Sequence, residues 1–489
     1  GNQELVLAEM EDILTNAEPS DETDRIKVGL ARMLITTGNS VGARARVEEV
    51  LERDSGQIDA LKLKANWLID DDKPGDALVE LRTALDQAPR DAQIMTLMAR
   101  AHERSGNRDL MGEMLALAVE ASGNAPDESL RYAAFLLQDE KYLPAEDILK
   151  SALRLQRENV ALLSTLGGVY VQMADWPRTQ QVVRDLQRVG TPEAEGIANE
   201  LTARMFAARD QAAELENLLG ALAEGEGDLQ AGASIIRLRL AQGDVDGATE
   251  YLNDLLAQEP ENPTLRFLQA GVLIARDEQG EAETILQRLL EEFPQNERVW
   301  LSLYRLQRSE GQEELALETL AKAQEALPQS ANLKWVAASV AELSGDVPSA
   351  IAIYEELYAL DSNSVVIANN LASLLSSYKD DDASLERAYT IARRLRGSEV
   401  PAFQDTYGWI AQRLGNFDEA LSYLEPAAAG LAQDPTVQYH LGVAYESQNR
   451  KEDALAQYQK ALELGAALAV KPAALAQAEA AMKALQAAE

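Results

Sequence analysis

The chain has 489 residues, enough for about three ordinary domains of roughly 150 residues each. Its 81 acidic against 45 basic residues leave a formal charge of −36, a field that repels nucleic-acid phosphates and anionic lipid headgroups. The lack of cysteine excludes disulfides, thiolate metal sites and a cysteine nucleophile, and no apolar run reaches the ~18 residues needed to cross a membrane.

In chain order, residues 3 to 17, "QELVLAEMEDILTNA", carry the apolar spacing of one helix with no partner helix before it. From there, small residues recur at a stride of 34: Ala31, Ala65, Ala99, Ala133 and Gly167. After an irregular stretch the stride resumes through Ala270, Tyr304, Ala338 and Ala372, and again from Gly408 to Gly442. A second ladder lies twelve residues further on, at Ala43, Ala77, Ala145, Ala248, Ala282, Ala316, Ala350, Ala420 and Ala454. Turn pairs such as Gly38-Asn39, Gly106-Asn107, Gly243-Asp244 and Gly415-Asn416 separate the ladders, and Pro89, Pro260, Pro294 and Pro328 close units at one phase. Small residues let helices approach closely, glycine ends the first helix of a pair, and proline marks the exit of the second. Each unit therefore reads as a helical hairpin whose apolar stripe, Leu78, Leu81 and Leu85 in one case, faces the stack.

Counting by phase predicts thirteen first helices, starting near residues 24, 58, 92, 126, 160, 194, 229, 263, 297, 331, 365, 401 and 435. The units at 194 and 229 are degenerate, with Leu201 and Ile236 at the small position, and "AEGEGD" at 223 to 228 is the expected soft joint. The unit at 365 has an insertion in its turn, "KDDDASLE". After Pro472, "AALAQAEAAMKALQAA" reads as a capping helix. The expected organisation is a lone second helix over 1–23, an N-terminal array over 24–228, a C-terminal array over 229–466 and a cap over 467–489. An array that begins halfway through a hairpin exposes an apolar face, so the chain is expected to be a fragment of a longer protein.

The two histidines, His102 and His440, lie ten units apart and share no motif with a serine, a carboxylate pair or a second metal ligand. Packing or a place on the surface is the expected role of both, and no catalytic, metal or cofactor site is expected. Asp70-Asp71-Asp72 and Asp380-Asp381-Asp382 both fall in the turn between paired helices and lack the alternation of a calcium loop, so both are expected to be solvated turns.

The pattern resembles the tetratricopeptide repeat, whose 34-residue unit carries a large residue, Leu-Gly and Tyr in its first helix, then Ala, an aromatic, Ala and Pro in its second. Leu441, Gly442, Tyr445, Ala454, Tyr458 and Ala461 fall on those places, as do Leu166, Gly167 and Tyr170, with Trp300 at a large-residue place. The resemblance implies an all-α fold, a right-handed α-solenoid of tetratricopeptide helix-turn-helix repeats, acting as a non-catalytic scaffold whose first helices line a concave groove. Arg32, Asn66, Arg100, Arg237 and Arg305 take the ninth first-helix position and Arg131 a sixth. Guanidinium forks there either receive a protein or peptide with acidic or C-terminal carboxylate groups, or neutralise carboxylates within the stack. Towards the C-terminus the groove positions become Phe267, Trp335, Asn369, Asn370, Trp409, Tyr439 and His440. These suit an extended peptide, with polysaccharide the lesser candidate, or packing between units.

Some relatives clamp chaperone C-termini, and Lys62, Asn66 and Arg131 match that clamp. Leu97 and Asp127 depart from it, and Asp127 would repel the carboxylate the clamp holds. The C-terminal third, including "DTYGWIAQRLGNFDEALSYLEPAA", resembles envelope lipoproteins of bacterial exosortase and exopolysaccharide systems. That implies a periplasmic or outer-membrane-attached assembly, with a cytoplasmic adaptor or co-chaperone-like client binder as the alternative.

Overall fold

The computed structural model describes residues 2–226, 229–468 and 471–487, and their regular structure is α-helical apart from one 3-10 turn. The helices are α1 (Asn2–Asn16), α2 (Asp21–Thr36), α3 (Ser40–Arg53), α4 (Ile58–Asp70), α5 (Pro74–Gln87), α6 (Ala92–Arg104), α7 (Arg108–Ala121) and α8 (Pro126–Gln138). There follow α9 (Tyr142–Leu155), α10 (Val160–Gln172), α11 (Trp176–Val189), α12 (Pro192–Ala208), α13 (Ala212–Glu226), α14 (Leu229–Ala241) and α15 (Val245–Gln258). Next come α16 (Pro263–Ala275), α17 (Gln279–Glu292), α18 (Glu297–Ser309), α19 (Glu313–Ala326), α20 (Ala331–Ser344) and α21 (Val347–Leu360). The last are α22 (Val365–Tyr378), α23 (Asp382–Ala392), α24 (Pro401–Arg413), α25 (Phe417–Gly430), α26 (Pro435–Ser447), α27 (Lys451–Gly465) and α28 (Ala473–Ala487). They fall into two compact units, Gly1–Asp139 with Asp361–Glu489, and Glu140–Leu360.

The even-numbered helices from α2 to α26 are the thirteen first helices, and eleven of them start on the residue counted from the sequence. The two exceptions have local causes. Helix α2 begins three residues early because Ser20 accepts from the Thr23 amide while the Thr23 hydroxyl accepts from the Ser20 amide, a reciprocal cap. Helix α12 begins at Pro192 because Thr191 caps it and proline at the first position costs no hydrogen bond.

All nine alanines of the second ladder are completely buried. The first ladder is equally tight where helices meet. A Cβ on Gly442 would stand 2.6 Å from two ring carbons of Tyr458, itself fully buried. At the degenerate position the chain compensates: Leu201 is buried over Gly167, where a Cβ would lie 2.4 Å from its Cδ1. Residues 227 and 228 of the expected soft joint lie outside the described residues.

The turns repeat in backbone conformation more faithfully than in sequence. Positive φ recurs at Gly38, Asp72, Gly106, Glu140 and Ala174, then at Asp210, Gly243, Asp277, Gly311, Gly345, Gly415 and Asn449. The amide after the left-handed residue reaches back to the last turn, as Asn39 does to the Leu34 carbonyl (2.9 Å) and Asp175 to the Tyr170 carbonyl (2.8 Å). This left-handed closure satisfies carbonyls that the helix end leaves open. Glycine is the unstrained choice, yet half of these positions carry a side chain.

One repeat departs from the pattern. After α22 the chain runs extended at Lys379 (φ −114°, ψ 131°), and Asp381 caps α23 through the Ser384 amide. Helix α23 has 11 residues and passes into a 3-10 turn, Arg393–Leu395. Of the two aspartate runs, Asp380 is fully exposed as a turn residue should be. Asp72 contradicts the expectation of a solvated turn: it is buried, because arginines from elsewhere in its unit close over it.

The ends are covered unequally. Leu7, Met10 and Leu14 of α1 pack on the first core cluster, while Leu5, Val6 and Ile13 are exposed. Leu475, Ala478 and Leu485 of α28 join the last core cluster, so the cap expected after Pro472 is a packed helix.

Candidate functional site

Within each unit the first helices place neighbouring residues in opposite environments. Ala31, Ala65, Ala99, Ile236 and Tyr304 are buried, and the next residues, Arg32, Asn66, Arg100, Arg237 and Arg305, are half-buried or exposed. That register makes a wall of ninth-position side chains.

In the Gly1–Asp139 part of the first unit, the cations of this wall are already occupied. Arg32 of α2 lies 3.0 Å from Asp59 of α4, and Lys62 lies 3.0 Å from Asp91, the cap of α6, and 3.4 Å from Asp59. Arg100 donates to the Asn66 side-chain Oδ1 at 2.5 Å and to Asp70 at 3.0 Å, and the Asn66 side-chain Nδ2 donates to Asp70 at 3.1 Å. Arg131 sits 3.6 Å from Glu128. Asp70 and Asp71 thus serve as ion-pair partners, Asp71 taking both guanidinium nitrogens of Arg44 at 2.8 and 2.9 Å. Pairs this exposed are each worth about 0–1 kcal/mol, yet they cancel most of the local positive field.

In the Asp361–Glu489 part of the same unit, three of the residues expected to line a groove form an aromatic cluster. His440 of α26 stacks on Trp409 of α24 with ring centres 4.1 Å apart and planes 14° from parallel. Its Nδ1 lies 2.9 and 3.1 Å from the two oxygens of Asp405, one turn before Trp409. Tyr439 completes the group, 5.9 Å from Trp409 and 6.0 Å from Tyr458. Tyr439 and His440 are buried, Trp409 is half-buried, and the indole Nε1 is buried without a hydrogen-bond partner. On α22, buried Asn369 donates to the Asn370 side chain at 3.2 Å, and its own Oδ1 finds no partner. The histidine is held by carboxylate and ring, a holding arrangement more than a reactive one.

His102 of α6 occupies the tyrosine place of its repeat and is also buried, its Nδ1 without a partner. Burial pushes its pKa below the usual histidine value, and the charge of Arg82 adds to that push against a weaker pull from Glu113. The tyrosine that does hold this place in another repeat, Tyr170, donates to Glu146 at 3.1 Å and is pushed up to about 12, chiefly by burial.

The second unit differs. Arg237 of α14 and Arg305 of α18 are exposed, and among the described residues neither makes an ion pair. The corresponding place on α16, between them in sequence, is Gly271, beside which a Cβ would meet nothing within 4 Å. Trp335 of α20 is half-buried and meets Tyr354 edge-on, with centres 5.8 Å apart at 85°. Phe267 packs on the core cluster beside Trp300. Helices α12 and α14 face each other across a cavity of about 410 Å³, floored by Leu218, Leu219 and Leu222 of α13 and rimmed by Glu195, Asn199, Glu200, Gln230 and Ser234. Sequence reasoning missed this cavity and missed Asp405. The signal for Asp405 was its spacing of one turn from Trp409.

Among the described residues no group of three or more histidines and carboxylates is arranged to hold a metal ion, and no helix is long and apolar enough to cross a membrane.

Tetratricopeptide-repeat family models match residues 239–306, 305–365 and 408–469. Solved structures similar to the chain include an APC/C hetero-tetramer of Cut9 and Hcn1, at 14% identity over 99% of this chain and 93% of that one, with a TM-score of 0.37. Yeast Tom70 is similar at 16% identity over 88% of this chain and 95% of that one, with a TM-score of 0.33. YrrB, described as a TPR protein with an unusual peptide-binding site, is similar at 19% identity over 40% of this chain and 97% of that one, with a TM-score of 0.30. No curated protein matches the chain significantly. Residues 239–365 and 408–469 are tetratricopeptide repeats, set in an all-helical array of hairpins.

Proposed function

We propose that the protein is a non-catalytic scaffold that holds a protein or peptide partner on the first-helix wall of its second unit, through carboxylate groups of that partner. The observation that carries this reading is the contrast between two sets of cations in the same register. Arg32, Lys62, Arg100 and Arg131 are paired within the stack, whereas Arg237 and Arg305 are exposed and make no ion pair among the described residues, and the same register place on the helix between them in sequence is Gly271. In a chain of −36, an arginine that the array leaves unpaired is a place where an acidic group gains a charge-assisted bond without breaking one.

The test is capture of partners from the source organism by the immobilised chain, compared with Arg237→Glu/Arg305→Glu and with Arg32→Glu. The expected result is loss of the specific partner from the double variant and its retention by Arg32→Glu. Equal capture by all three would remove the arginines from the binding surface. A place in a bacterial envelope assembly has one support, the resemblance of the C-terminal third to envelope lipoproteins. Fractionation of source cells tests it: recovery in the periplasm or with outer membranes agrees, and recovery with cytosolic proteins favours the adaptor reading.

A further inference from the structure

The turn after α4 presents Asp72 with φ of 57°, a conformation aspartate tolerates better than most residues. Its carboxylate accepts from Arg104 at 2.9 Å, from Arg394 at 3.0 Å and from Arg387 at 3.2 Å, and its carbonyl accepts from Arg393 at 3.0 Å. Arg104, at the end of α6, also donates to the Ser362 hydroxyl at 2.8 Å and to the Asn363 side chain at 2.9 Å. Arg394 reaches the Ser362 carbonyl at 2.5 Å. The side chains of Asp72, Arg104 and Arg394 are 3–5% exposed. Backbone joins in: a Cβ on Gly106 would lie 2.1 Å from the Arg393 carbonyl oxygen.

All of these residues belong to the first unit, yet the partners of Asp72 on α23 and the 3-10 turn are 315 to 322 residues away in sequence. The receptor is built by the one repeat that departs from the pattern. Its inserted turn shortens α23 to 11 residues and ends it in the 3-10 turn that carries Arg393 and Arg394.

In a tandem-repeat array each hairpin draws its stability from its own helices and its immediate neighbours. A contact spanning more than 300 residues is therefore dispensable for folding either partner repeat; what it fixes is the distance between them. We propose that Asp72 and its arginine pocket are an intramolecular latch. Closed, the latch holds the repeats of α4 and α6 against the repeat of α22 and α23. Released, it lets the two parts of the first unit separate with their helices intact.

The chain has no cysteine, so spin labels attach only where cysteines are introduced, and Glu103→Cys with Glu399→Cys puts one exposed label on each side of the contact. Pulsed electron–electron distance measurement on the full chain is expected to give one narrow distance. With Asp72→Ala, and independently with Arg387→Ala/Arg394→Ala, the distribution is expected to broaden and lengthen by about a helix diameter, ~10 Å. The helical circular dichroism signal should stay unchanged in both variants. An unchanged distance in either variant overturns the latch, and so does a fall in helical signal accompanying the change, which would make the cluster a requirement of folding.

Discussion

The left-handed residue that closes each first helix allows a reciprocal test in which no side-chain contact changes. Ala174 has φ of 54° between α10 and α11, and Gly311 has φ of 72° between α18 and α19, both in the second unit. A Cβ on Gly311 would meet nothing within 4 Å, so Gly311→Ala adds no clash and loses no contact. What remains is the left-handed penalty for an L-residue, about 1–2 kcal/mol. Against it stands the smaller entropy of an alanine-bearing unfolded chain, worth about 0.4–1 kcal/mol. The difference makes Gly311→Ala destabilising and Ala174→Gly stabilising, each by about 1 kcal/mol. Three hairpins lie between the two sites, so the effects should add and the double variant should return close to the parent. Urea denaturation followed by circular dichroism reads the sign. Amide hydrogen exchange in α10 and α18 localises it, which matters because long arrays need not unfold in one step. Destabilisation by Ala174→Gly, or no effect from Gly311→Ala, would refute the claim that one turn conformation is imposed on unlike sequences.

Other perturbations follow from the same packing. Gly442→Ala drives a methyl against the ring of Tyr458, whose hydroxyl is held by Glu446 at 2.6 Å, and should cost about 1–3 kcal/mol in thermal unfolding. Trp409→Ala removes the ring on which His440 stacks and should cost about 3 kcal/mol, the low end for a tryptophan truncation because the ring is only half-buried. If instead the melting temperature is unmoved and partner capture falls, the ring belongs to a binding surface. His102, depressed by burial below its ordinary value of 6.5, binds fewer protons folded than unfolded, so its share of the stability is present above about pH 6.5 and lost as the pH falls through its folded value. His102→Tyr, which installs the residue type that Tyr170 supplies at this place in its own repeat, should flatten the stability profile below about pH 6.5. An unchanged profile would mean the imidazole is solvated.

The repeat was legible because close helix packing favours small side chains, and a 34-residue stride of mostly alanine and glycine leaves few other readings. Its closure was half legible. Gly38, Gly106 and Gly311 announce the left-handed turn, but Glu140 and Ala174 adopt it with nothing in their identity to say so, because the helix end and the next amide determine the geometry. The wall of arginines was legible as a register and not as a state of charge. Arg32 and Arg305 stand at the same position, and only the neighbouring helix decides that one meets Asp59 and the other meets solvent. Asp72 was beyond local reasoning altogether. Its partners lie on a repeat 315 to 322 residues further along the chain, and no periodicity encodes that approach.

Which face of the array meets other molecules is tested most directly by site-specific photo-crosslinking in source cells. A benzophenone side chain in place of Arg237 or Arg305 is predicted to capture one and the same partner, and in place of exposed Leu317 on α19 to capture none. Capture from Leu317 with silence at both arginine positions would place the working surface on the second helices and contradict the account.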